Sequence, residues 1–145
     1  MTRVLLPDVN VLLAGFRADH VHHRLARTFL EPARGSSKVL GLSDFALAAV
    51  LRLATNARVF ARPDTTEAVI GYLDALLEPP GQLVRGGDTH WPRFTELCRR
   101  LGLRGNLVPD AYLAALALEQ AAQLVTFDRG FGRYPGLRWR CLLDD

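Results

Sequence analysis

Three short apolar runs in this chain each end on an aspartate. They are Val4-Leu5-Leu6-Pro7-Asp8, Asn106-Leu107-Val108-Pro109-Asp110 and Leu124-Val125-Thr126-Phe127-Asp128. Read as strands of an open parallel sheet, such runs end on one common rim, where α/β proteins place their ligands. Three carboxylates remote in sequence would then stand close in space. Carboxylates brought together repel, so a cation is their natural partner, and an all-oxygen ligand set favours a hard ion, Mg2+ or Mn2+.

The intervening segments supply the helices. Strands are expected over residues 3–6, 39–42, 82–85, 123–127 and 137–142. Helices are expected over 9–16, 20–31, 44–55, 66–77, 91–101 and 111–122, with Ser43 and Thr65 as N-caps. Gly35-Ser36-Ser37, Pro79-Pro80-Gly81 and Gly102–Gly105 read as breaks. Strand alternating with helix predicts a three-layer α/β fold with a parallel central sheet. At 145 residues, with neither linker nor repeat, the chain is expected to form one domain over 1–145.

Composition narrows the setting. Hydrophobic residues make up 49% and charged residues 23%, which argues against disorder. The net charge is +3, and Lys38 is the only lysine among eighteen basic residues. Arginine suits bidentate contact with phosphate and stacking on bases, so a polyanionic partner is plausible, as is simple genomic drift. Cys98 and Cys141 match no metal or redox spacing and read as buried thiols in a reducing compartment. No secretory leader and no stretch long enough to span a membrane is recognisable, so a cytoplasmic location is expected.

Each aspartate has an ordinary explanation as well. Asp8 and Asp110 stand where a helix N-cap is wanted, and Asp128 precedes Arg129-Gly130, a common turn composition. Capping alone does not require the pattern three times. Among the histidines, His20 and His23 share a helical face while His22 points elsewhere, so a packed or exposed face is expected rather than a zinc site. His90 reads as a loop or cap residue. Arg129, Arg133, Arg138 and Arg140 form a basic stretch suited to RNA, to an acidic protein tail or to solvent. Phosphate-loop, dinucleotide and nucleophile-elbow patterns are absent.

The motifs together carry a family resemblance. Leu-Leu-Pro-Asp-Val-Asn-Val-Leu-Leu over 5–13 resembles the opening of PIN-domain ribonucleases, particularly the VapC toxins of bacterial toxin–antitoxin pairs. Pro109-Asp110-Ala111-Tyr112-Leu113-Ala114-Ala115-Leu116-Ala117 is similar to their third acidic motif, and Thr126-Phe127-Asp128-Arg129-Gly130-Phe131 to their fourth. Val50-Leu51-Arg52-Leu53-Ala54-Thr55-Asn56 resembles the segment after their second strand. The resemblance implies a PIN-like fold and Mg2+-dependent endoribonuclease activity (Mn2+ substituting) that leaves 5′-phosphate and 3′-hydroxyl ends. It also implies control by a cognate antitoxin and, usually, a homodimer. By position it implies that Asp8 and Asp110 ligate the metal, with Asp128 completing the acidic cluster. Asn10 and Thr126 fall where neighbours order the site or its water, and Arg52 is the RNA-binding candidate, its helix starting near the rim.

One position departs from the pattern. Many of these toxins carry a glutamate within the helix after the second strand; aligned through Arg52, that position here is Leu47. Asp44, one turn earlier, is a candidate replacement, or merely a favourable charge at the helix start. The departure keeps a second reading open, a catalytically impaired PIN-like RNA-binding module. A third is phosphotransfer through Asp8 as covalent nucleophile; it lacks the second aspartate and a suitably placed lysine.

Overall fold

The computed structural model describes residues 3–31 and 38–145, so the expected Gly35-Ser36-Ser37 turn lies outside the described residues. Five strands form the sheet: β1 (Arg3–Pro7), β2 (Lys38–Ser43), β3 (Gln82–Val84), β4 (Gln123–Thr126) and β5 (Trp139–Cys141). Their order is β3-β2-β1-β4-β5, and every pairing is parallel. Among the described residues six α-helices accompany them: α1 (Val9–Phe16), α2 (His23–Leu30), α3 (Asp44–Ala54), α4 (Thr66–Leu77), α5 (His90–Leu101) and α6 (Leu107–Glu119). The α/β architecture expected from the alternation is the one observed.

Strand alternation divides β1 between two cores. Leu5 joins α1–α4 residues such as Leu12, Leu30, Val50 and Val69. Leu6 faces the other way, with Phe94, Leu97 and the buried side of α6. Successive residues of a strand point to opposite faces, so a five-residue strand anchors both layers. On the first face Gly15 permits the close approach of α1 to its neighbours. A Cβ there would lie 2.4 Å from Leu30 Cδ1 and 2.8 Å from the Tyr72 hydroxyl, which itself donates to Leu12 O at 2.7 Å. On the second face α6 buries Ala111 and every residue from Leu113 to Ala117. That explains its apolar composition on nearly all sides.

Two boundaries differ from expectation for identifiable reasons. Helix α2 begins at His23 rather than residue 20. Residues 17–22 are held as a turn, because buried Arg17 pairs with Asp19 (2.8 Å) and Asp64 (2.9 Å) and donates to Arg62 O. Helix α6 begins at Leu107 rather than residue 111. Pro109 is its third residue, where its missing N–H costs nothing, since first-turn amides have no intrahelical acceptor. Asp110 therefore stands in the first turn of a helix, not at a strand exit.

Candidate active site

Asp8 is the centre of the site. It follows β1, continues the ladder by donating its N–H to Val125 O (2.8 Å), and caps α1. Its Oδ1 accepts from the Val9 N–H at 2.7 Å, and its Oδ2 accepts from the Thr126 hydroxyl at 2.9 Å. The residue is 7% exposed. Burial pushes its carboxyl up to about 6; the Thr126 hydrogen bond pulls the other way, and the charges of Asp110 and Asp128 add to the rise.

Thr126, wholly buried, links two of the acids. The same oxygen that donates to Asp8 accepts the Asp128 peptide N–H at 2.9 Å. Wholly buried, it holds Asp8 and the Asp128 backbone in place. Asp128 is exposed, begins a 3-10 turn over Arg129–Arg133, and accepts from the Gly130 N–H at 2.7 Å. Asp110 reaches the group from α6. Its carboxyl is raised, first by desolvation and then by Asp128, while Arg133 opposes the rise. The charges of Asp110 and Asp128 act on Asp8, and that of Asp128 on Asp110, although only Asp8 and Asp128 leave strands.

Asp44 is placed differently. It opens α3 beside β2, accepts from the Phe45 N–H at 2.8 Å, and lies 3.8 Å from Arg85 Nε. Its side chain is 51% exposed. These are the contacts of a first-turn, surface-paired acid, the cap of α3 being Ser43. Leu47, where the family pattern has glutamate, packs against the first core. Asn10 is exposed on the first turn of α1.

Arg52 lies in the last turn of α3, whose start is at the rim, eight residues and roughly 12 Å along the axis from Asp44. The basic C-terminal stretch is largely engaged. Arg129 pairs with Asp144 (3.0 Å from Nε), Arg140 with Asp145, and Arg138 donates to Ala121 O at 2.6 Å. Arg133 is the member whose charge acts on Asp110. Nothing in the sequence separates it from its neighbours; their partners, Asp144, Asp145 and the Ala121 carbonyl, do.

The chemistry of the donors suits a hydrated hard ion. Each Asp8 oxygen receives one protein hydrogen bond and keeps a second lone pair. Among the described residues no three His, Cys, Asp or Glu side chains close into a ready-made cage. Mg2+ needs none, because it is held by one or two carboxylates and retains several waters.

An acidic cluster at the carboxyl rim of an all-parallel sheet, one member buried and locked by a threonine, defines this molecule as an α/β protein with an acid-centred rim site. The PIN domain family model matches residues 5–137. The chain is 42% identical over 142 residues, 97% of each chain, to ribonuclease VapC43 of Mycobacterium tuberculosis. It is 37% identical to ribonuclease VapC37 of the same organism, over 91% of this chain and 92% of that one. It therefore belongs to the PIN domain family, within its VapC branch. Solved structures agree on the fold. A Rickettsia felis VapBC2 complex bound to promoter DNA superposes with a TM-score of 0.69 at 19% identity, covering 95% and 98% of the two chains. Mycobacterium tuberculosis VapC20, a Sarcin-Ricin loop cleaving toxin, gives 0.66 at 16% identity, covering 92% and 98%. Among the described residues no helix is long and apolar enough to cross a membrane.

Proposed function

We propose that this protein is a metal-dependent endoribonuclease, the toxin of a toxin–antitoxin pair, acting in the cytoplasm as one domain over 1–145 and usually as a homodimer. The observation that carries the reading is the buried Asp8 carboxyl, held by the Val9 N–H and the Thr126 hydroxyl, on which the charges of Asp110 and Asp128 also act. It is supported by relatives at 42% and 37% identity that bear the name ribonuclease. The VapBC complexes among its structural neighbours support a small antitoxin as partner.

Asp8 and Asp110 would hold Mg2+ or Mn2+, with Asp128 alongside. Such an ion supplies a bound water of lowered pKa and neutralises charge on a phosphodiester. The chain's own contribution is geometric. Thr126 fixes the Asp8 carboxylate by donating to Oδ2 while the N–H of Asp128, two residues on, is held by the same hydroxyl. Arg133 places a cation beside the acids, where an RNA phosphate can pair with it.

The alternative, an RNA-binding module without full catalytic power, is favoured by one feature: Asp44 is engaged by Arg85 and Leu47 by the core. The phosphotransfer reading loses support. Lys38 pairs with Arg3 at the opposite end of β1 from Asp8. Purified protein incubated with RNA and Mg2+ decides the matter. Cleavage that disappears in EDTA and returns with Mg2+ or Mn2+ is expected; RNA bound but left intact at every metal concentration would favour the module.

A further inference from the structure

Phe127 lies between the two rim residues Thr126 and Asp128, so its position is fixed by the acid site itself. Two histidines from the α1–α2 turn pack on its ring. The His22 ring centroid is 4.8 Å from that of Phe127 with the planes 32° apart, and His20 lies 6.5 Å away at 20°. The histidine rings are 5.8 Å from one another. All three residues are only partly buried, and Val21 between the histidines is 86% exposed.

The turn is built rather than loose. Arg17 anchors its start to Asp19 and Asp64, and His23 closes its end with Nδ1 2.7 Å from Ala14 O. Within it, His20 Nδ1 accepts the His22 N–H at 3.0 Å. That bond places the proton of the neutral ring on Nε2 and leaves it as a donor. Burial lowers the His20 pKa, with His22 adding to the effect, so the neutral ring prevails at pH 7. The turn therefore offers flat π-surface, and an N–H donor on His20, against the residue that precedes Asp128.

We propose that His20, His22 and Phe127 form a stacking platform for an unpaired RNA base next to the scissile phosphate, with His20 Nε2 donating to that base. The proposal rests on the ribonuclease reading above and adds that the substrate is single-stranded or looped at this point. Aromatic rings grip splayed-out bases in this way, and stacking is worth about 1–3 kcal/mol per base. A nucleobase is the occupant that the position selects, because Phe127 of the platform directly precedes Asp128 in the chain.

The test separates this proposal from the ribonuclease reading by measuring RNA affinity in EDTA as well as turnover. Fluorescence anisotropy with a short single-stranded RNA should show His22→Ala weakening binding about tenfold, the fold-change of one lost stacking contact. His22→Phe should restore affinity, because it restores the π-face. An RNA carrying an abasic nucleotide at the stacked position should bind the parent and His22→Ala equally weakly. Circular dichroism and melting of each variant check the fold, and His20→Ala gives an independent second lesion. Unchanged affinity in both alanine variants overturns the platform whether or not RNA is cleaved. So does a loss that His22→Phe fails to repair, or one that persists at full size with every abasic position. Absence of cleavage in the parent, with affinity behaving as described, overturns only the catalytic reading.

Discussion

Asp8 and Asp44 leave adjacent parallel strands in the same manner. Each stands at the start of a helix, and each accepts a hydrogen bond from the next residue's N–H, at 2.7 Å and 2.8 Å respectively. Their surroundings then diverge. Asp8 sits at the exit of the central strand, between β2 and β4, where both faces are covered and two more carboxylates arrive from α6 and β4. Asp44 sits one strand nearer the sheet edge, half in solvent, with Arg85 as counter-ion. The same residue type at two neighbouring strand-to-helix junctions, as the extended cap of α1 and as the first helical residue of α3 behind the Ser43 cap, is a buried acid in one place and a solvated, ion-paired one in the other. Position in the sheet sets the electrostatic state.

The sharpest way to break this contrast is to neutralise each acid in turn. Asp8→Asn and Asp110→Asn should each lower RNA cleavage by more than about a hundredfold, beyond the 10–100-fold that loss of a supporting partner costs at metal sites. Cleavage by either variant within tenfold of the parent, at equal protein concentration, would remove that residue from the site.

Without metal, the same change should stabilise the fold. The Asp8 carboxyl is about 6 in the folded protein against an ordinary 3.8. Below pH 3.8 it is protonated in both states and carries no penalty. As pH rises from there through 6, the unfolded chain releases a proton that the folded chain retains, so stability falls. Above 6 the penalty is complete, on the order of 3 kcal/mol. Asp8→Asn removes it and gives up roughly one hydrogen bond of about 1 kcal/mol. In EDTA at pH 8 the variant should melt several degrees above the parent, and the gap should close by pH 4. A variant melting no higher at pH 8 would show that Asp8 is not strained by its setting.

Thr126→Val tests how the buried acid is held. It keeps the shape but removes the donor to Asp8 and the acceptor for the Asp128 N–H. Cleavage should fall about 10–100-fold, the usual cost of losing such a supporting partner, with metal affinity measured by calorimetry weakened in parallel. Full metal affinity in this variant would reduce Thr126 to a packing residue.

The smallest effect belongs to Asp44. Asp44→Asn leaves the Ser43 cap intact and should leave cleavage within about threefold, while stability falls by a few tenths to about 1 kcal/mol from the lost interaction with the helix dipole and Arg85. A hundredfold loss of cleavage would instead make Asp44 the substitute for the family's missing glutamate. Leu47→Glu in that background then reports whether the next turn of α3 faces the metal.

Much of this was legible in the chain before folding. Short apolar runs and cap residues marked α1 and α4 to the residue, because Asp8 and Thr65 are caps whose side chains satisfy first-turn amides. The acidic triad was legible too, since Asp8, Asp110 and Asp128 recur at the edges of apolar segments. Several matters were not. The sequence presents Asp110 as a strand end, but α6 absorbs Leu107–Pro109 into its first turn. It presents four arginines alike, but the C-terminal Asp144 and Asp145 neutralise Arg129 and Arg140 and leave Arg133 beside the acids. It presents His20 and His22 as parts of a helix, but Arg17 holds them in a turn against Phe127, more than a hundred residues away in sequence. Local pattern determined which residues form strands, helices and caps, because period and capping act over a few residues. Which acid is buried, which arginine is spent and which ring meets the rim were decided by tertiary structure, because desolvation and charge pairing depend on what the rest of the chain brings within a few ångströms.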